Sequence, residues 1–213
     1  MTDDELKMEL VKITTELYHA GLITATGGNV SVRSASRPDA AWITPSAIFK
    51  GDLKPEQMIL IDMEGKKLEG ETKPSVESVY HAGIMKYRPE INAVVHTHAP
   101  LSTIYGMSDL KMLPVNTEAC FCMNMPVIPF YMGGSKELAK AVIEGVGQTK
   151  ATGAFLCNHG LMTVGKSLRQ AADASYMVEH VVDILLKLKN AGITPKLVPE
   201  QTVKMLAQFA GAF

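Results

Sequence analysis

The chain has no run of 18 apolar residues, so no membrane-spanning helix is expected. It has no excess of one charge. Lys and Arg number 21 against 22 Asp and Glu, a net charge of −1. That balance argues against a nucleic-acid or other general polyanion binder, while leaving room for a local anion pocket. Cysteine is scarce: Cys120, Cys122 and Cys157 are an odd set in which no disulfide framework is expected, and reduced thiols in a cytoplasm are the simplest expectation. The Cys120-Phe121-Cys122 pair reads as small hydrophobes on a strand. The N-terminus, MTDDELKMEL, is acidic and has no apolar segment, so no signal peptide is expected. The phosphate-loop pattern GxxxxGK[ST] is absent, and so are internal repeats, low-complexity stretches and linkers. What remains is a globular composition, 46% hydrophobic and 20% charged over 213 residues, expected to form a single domain spanning 1–213.

Periodicity supplies the elements. Thr2 to Glu5 has the spacing of a capping box, Leu6, Leu10, Ile13 and Leu17 follow at helical intervals, and Gly21 is placed to stop the helix. Residues 29–34 alternate like a half-buried strand, Trp42 to Thr44 is its partner, and Met58 to Met63 is a third strand before a Glu64-Gly65 turn. A helix is expected over 75–88, capped by Ser75 and ended by Pro89. Further expectations are a strand over 92–98, helices over 135–147 and 168–190, short strands around Asn158-His159-Gly160, and a last helix opened by Pro199. Mixed helices and hairpin-connected strands predict a helix-flanked, mainly antiparallel sheet.

The sharpest chemical signal is Val94-Val95-His96-Thr97-His98. Residues i and i+2 of a strand share a face, so two imidazoles there can chelate a divalent metal. A solvated pair is the plainer alternative, but these two close an apolar strand and meet Ala99-Pro100. A catalytic site commonly takes three protein ligands, and His159, beside Gly160 at a strand end, is the third candidate. His19, His81 and His180 fall on predicted helices and read as surface or half-buried histidines. Glu77, in the first turn of the 75–88 helix, is a candidate acid or base, or simply a helix-start acid paired with His81. Thr26-Gly27-Gly28-Asn29 can form an anion nest, and Thr44-Pro45-Ser46-Ala47 and Lys73-Pro74-Ser75 add hydroxyls. Each of these alone reads as an ordinary turn, as does Gly133-Gly134.

Taken in order, TGGNVSVR (26–33), ITPSAI (43–48), KPSVESVYH (73–81), RPEINAVVHTHAP (88–100) and LCNHGLMTVGKSLRQAAD (156–173) resemble the class II aldolase/adducin-head family. Length and spacing are most similar to its fuculose-phosphate aldolase branch. The resemblance implies a three-layer α/β/α sandwich around a largely antiparallel, mixed sheet, and a homotetramer with active sites between subunits. It implies His96, His98 and His159 as metal ligands, with Glu77 as a fourth ligand that becomes the acid/base when substrate displaces it. One divalent metal per subunit follows, zinc by default, with manganese or another transition metal as the alternative. Gly28, Asn29, Ser46, Ala47 and Ser75 match phosphate-site positions.

The implied activity is cleavage of a ketose 1-phosphate, such as L-fuculose 1-phosphate or 5-deoxyribulose 1-phosphate. The products are dihydroxyacetone phosphate and a short aldehyde, through a metal-stabilised enediolate. Alternatives within the family are a pentulose-5-phosphate 4-epimerase and a sugar-acid phosphate decarboxylase or dehydratase. A non-catalytic adducin-head-like module is expected to lack the metal histidines. Three departures stand out. Val76 replaces a phosphate-binding hydroxyl residue. Glu118 stands where the fuculose branch has a catalytic tyrosine, as a candidate proton relay. The tail, Phe209 to Phe213, has no tyrosine and favours a smaller aldehyde.

Overall fold

A computed structural model describes residues 1–207; the tail from Phe209 to Phe213 lies outside the described residues. Helix α1 (Asp3–His19) opens on the capping box. The Thr2 hydroxyl accepts the Glu5 N–H at 3.3 Å, and the Glu5 carboxylate accepts the Thr2 N–H at 2.7 Å. Its buried stripe is Leu6, Leu10, Ile13 and Leu17, and Gly21 beyond its end takes φ +73°. Strands β1 (Asn29–Arg33), β2 (Ala40–Ile43), β3 (Ile59–Asp62) and β4 (Lys67–Glu69) form a meander. Gly65, at φ +79°, turns β3 into β4. Then come α2 (Ser78–Tyr87), β5 (Ala93–Thr97), α3 (Pro100–Gly106), α4 (Ala119–Cys122), β6 (Val127–Ile128) and α5 (Lys136–Val142). A π-turn at Ile143–Gly147, β7 (Gly153–Leu156), β8 (Gly160–Gly165), α6 (Leu168–Asn190) and α7 (Glu200–Ala207) complete the order.

The eight strands form one sheet in the order β4-β3-β2-β1-β5-β8-β7-β6, antiparallel except for the β6–β7 pair. The two-residue period divides its side chains between two cores. Ala41, Ile43, Ile59, Ile61, Val94, Ala154, Leu156, Met162 and Val164 pack with α2 and α5. The intervening Val30, Val32, Ala40, Trp42, Leu60, Ala93 and Val95 pack against α1 and the start of α6. Phe155 and Leu161 join α3, α4 and the rest of α6. The result is an α/β/α sandwich with helices on both faces of a mixed sheet.

Several expectations are corrected. Cys120 and Cys122 lie on α4, not on a strand. Asn116 caps that helix by accepting the Ala119 N–H at 2.8 Å, and each thiol faces a carbonyl one turn back. The 75–88 helix starts at Ser78. Ser75 accepts the Glu77 N–H, and Glu77 occupies the N-cap position (φ −101°, ψ 6°) rather than the first turn. His81 is fully buried rather than half-exposed. The 135–147 helix passes from α into π geometry at Ile143. Pro100 begins α3, whose first N–H groups are held by a carboxylate from far along the chain. Glu179 accepts from Leu101 and Ser102 N–H, each at 2.8 Å.

Candidate functional site

The candidate centre sits where β1, β5 and the β7–β8 turn meet the N-terminus of α2. Asn29 of β1 lies directly opposite His96 of β5, so both side chains rise from the same face. The Nδ1 of His96 is 3.0 Å from the Leu161 carbonyl oxygen. A carbonyl only accepts, so Nδ1 carries a proton and Nε2 is the nitrogen turned to the cluster. His98 follows the end of β5, with its Nε2 3.1 Å from that of His96. Gly27 makes room for this ring, because a Cβ there would stand 2.6 Å from His98 Nδ1.

His159 arrives from the three-residue turn between β7 and β8. Asn158 adopts φ +56°, and the His159 N–H donates to Leu156 O at 3.0 Å. Gly160 lets β8 press against the end of β5, since an added Cβ would collide with the Thr97 carbonyl oxygen. That close approach carries His159 to the other two rings. Ring centroids are 4.7 Å apart for His96–His159 and 5.2 Å for His98–His159. One nitrogen from each of the three lies within 4.8 Å of the others.

Glu77 faces the same point from α2. Its Oε2 accepts the Asn29 Nδ2 amide at 2.8 Å and lies 3.4 Å from His96 Nε2. Oε1 lies 3.5 Å from His159 Nε2 and is buried without a hydrogen-bond partner among the described residues. Burial pushes this carboxyl up, but His96, the Asn29 amide, His159 and His81 outweigh it and hold it at about 2. Burial lowers His98 and His159 to about 4, assisted by the neighbouring ring charges. At neutral pH His98 and His159 therefore keep free lone pairs beside the Glu77 carboxylate, as ligation of a cation requires. The donor set fits a divalent ion: three imidazoles, one carboxylate with an unpartnered oxygen, and a ring already oriented through its other nitrogen.

Beneath it, the Ser31 hydroxyl and His81 Nδ1 are 2.7 Å apart, and the His81 ring stacks on Tyr80 at 4.9 Å. His81 therefore supports the floor and does not pair its ring with Glu77.

Beside the centre is a cavity of about 200 Å³, lined among others by Gly28, Asn29, Ser46, Ala47, Ser75 and Glu77. Gly28 takes φ +82° in the nest, where a Cβ would meet the Ile23 side chain. The 44–47 and 73–75 loops are pinned together by the Ser46 N–H to Lys73 O bond at 2.9 Å. Ala47 holds φ +56°, a conformation that costs a residue with a Cβ about 1 kcal/mol or more. Asn29 lines this space, but its amide is committed to Glu77. Val76 and Gly133 lie on the wall as well.

Glu118 is not brought to this cavity within one chain. It stands at the start of α4, half exposed, 3.9 Å from His180 and 3.3 Å from Asn116 Nδ2. Two wall residues carried no sequence signal of their own. Gly133 read as a turn, and Lys50 opened a charged surface-like run, KGDLKPE (50–56), that gives no hint of burial.

Fold and site together define an α/β sandwich in which three imidazoles and a carboxylate could hold a metal beside a cleft lined by glycines and hydroxyls. The family model described as Class II Aldolase and Adducin N-terminal domain matches residues 8–186, and the chain belongs to that family. A 5-deoxy-D-ribulose 1-phosphate aldolase of Bacillus thuringiensis is 31% identical, covering 94% of this chain and 92% of its own length. A 3-oxo-tetronate 4-phosphate decarboxylase of Haemophilus influenzae is 32% identical, covering 91% of this chain and 92% of its own. Among solved structures, an L-fuculose 1-phosphate aldolase superposes with a TM-score of 0.85 at 25% identity, covering 96% and 95% of the two chains.

Proposed function

We propose that the protein is a metal-dependent aldehyde-lyase cleaving a deoxyketose 1-phosphate, such as 5-deoxyribulose 1-phosphate or L-fuculose 1-phosphate, to dihydroxyacetone phosphate and a short aldehyde. The observation that carries this reading is the convergence of three imidazoles on Glu77 at the edge of a hydroxyl-lined and glycine-lined cavity. Zinc is the favoured ion, with manganese next, and when bound it supplies Lewis-acid stabilisation of the negative charge that develops across C2 and C3.

The chain's own groups account for the rest. The nest at Gly28 with Ser46, Ala47 and Ser75 receives the phosphate and fixes C1 against the wall. Loss of the C4 hydroxyl proton lets the C3–C4 bond break, and its electron pair passes into the C2 carbonyl. Glu77, through Oε1, takes up a proton from the medium and gives it to C3, while the C4 proton leaves to the medium through Glu118, so one proton enters for each that departs. The Asn29 amide keeps the other oxygen in place during that transfer. Glu118 is assigned the relay for the C4 proton in a neighbouring subunit's cavity, within a homotetramer whose sites lie between chains. Support for such an assembly comes from Phe130 and Met132, 57% and 71% exposed just before Gly133 on the cavity wall. A cytoplasmic location accords with three free thiols.

Decarboxylation of a 3-oxo sugar-acid phosphate is the second reading, favoured by the relative of that activity at 32% identity against 31% for the aldolase. Assaying the zinc- or manganese-loaded protein against both substrate classes separates them. Aldehyde release supports the aldolase, carbon dioxide release replaces it with the second reading, and neither product refutes both.

A further inference from the structure

The substrate cavity has a cation in its wall with no counter-charge. Lys50 is only 1% exposed, yet it lines the cavity with Gly28, Ser46, Ala47 and Ser75. Its Nζ donates to the Pro45 carbonyl at 2.6 Å, and its backbone N–H donates to Ala25 O at 2.8 Å, so the residue ties the nest to the 44–47 loop. An ammonium has three donors, and the chain uses one of them here. Burial alone acts on its acidity and lowers it to about 8, with no carboxylate among the described residues opposing that fall. It remains mostly protonated at neutral pH.

A buried, unpaired charge is costly, and a chain has reason to keep one where a ligand supplies the opposite charge. The other titratable wall groups, Glu77, His98 and His159, belong to the candidate chelate, and none of them pairs with Lys50. The neighbours of Lys50 on the wall are hydroxyls and backbone amides, partners for an anion with several acceptor oxygens. Val76, where a hydroxyl would add another donor, presents only methyl groups, which places more of the recognition on the ammonium.

We propose that Lys50 is the counter-ion of the substrate's phosphate group, and so the residue that makes the site choose a phosphorylated ketose. This rests on the reading of the cavity as a sugar-phosphate site.

The test uses the metal-loaded full chain and inorganic phosphate as the probe, titrated calorimetrically. Lys50→Met is expected to weaken phosphate binding about tenfold or more, while its melting temperature without phosphate stays level or rises as the unpaired charge is removed. Equal phosphate affinity in wild type and variant overturns the assignment, and so does a wild type that binds no phosphate. If Lys50→Met fails to fold, lysine-labelled wild type decides. A buried ammonium resonance that shifts on adding phosphate supports the assignment, and none shifting overturns it. Retro-aldol assays on the same wild-type preparation keep the two claims apart. Phosphate binding through Lys50 with no cleavage of any ketose 1-phosphate removes the lyase reading alone. Cleavage with unchanged phosphate affinity in Lys50→Met removes the Lys50 assignment alone.

Discussion

At the scale of the residue, Glu77 combines burial with two distinct oxygens, one committed to Asn29 and one free. Glu77→Gln keeps the shape and loses the proton carrier. Turnover is expected to fall about 10²- to 10⁴-fold while metal content drops only modestly, which steady-state kinetics and metal analysis of the same sample check. His98→Ala removes one of the three converging nitrogens and should lose metal and activity together.

Acid should act through the imidazoles. Burial holds His81 at about 3, against 6.5 for a free ring. Between those values the unfolded chain binds a proton that the native chain refuses, so stability rises with pH across the window and is lost as pH falls from about 6.5 toward 3. Each such ring contributes a slope of about 1.4 kcal/mol per pH unit. Urea unfolding of chelator-treated protein at pH 7, 6 and 5 should show this loss, and His81→Asn should flatten it by one proton's worth.

At the scale of the element, the β7–β8 turn delivers His159 only because β8 can touch β5. Gly160→Ala forces that contact apart and should cost about 1–3 kcal/mol in urea unfolding, with weaker metal binding because His159 moves with the turn. This delivery was legible in the sequence: the strand period placed His96 and His98, and the glycine marked the turn beside His159. What stayed hidden depends on contacts between distant segments. The start of α3 is secured by Glu179, 77 residues ahead of Ser102, and no local pattern announces that. Cys120 and Cys122 were misread because a three-residue apolar run fits either period. The Asn116 cap was the available clue, three positions before Ala119. Lys50 was illegible for the same reason as α3, since its burial comes from loops folding over it.

At the scale of the whole molecule, the alternation of 29–34 and a helix-flanked, mainly antiparallel sheet were readable from the residues, while the three-layer sandwich came with the family resemblance. The two-residue β6 was not readable, because so short a strand has no period. No described helix is long and apolar enough to cross a membrane. The proposed assembly would cover the exposed Phe130 and Met132. Sedimentation is expected to give a four-chain mass, and Met132→Glu, which places a charge on that patch, should shift it toward smaller species.

The sheet order sets β1, β5 and β8 side by side although long stretches of chain separate them. A chain lacking β7 and β8 keeps two of the three imidazoles and the β1 strand beside them, but loses His159 and the Leu161 carbonyl that orients His96. A fragment stopping before residue 150 is therefore expected to stay metal-free, which metal analysis of the purified fragment checks.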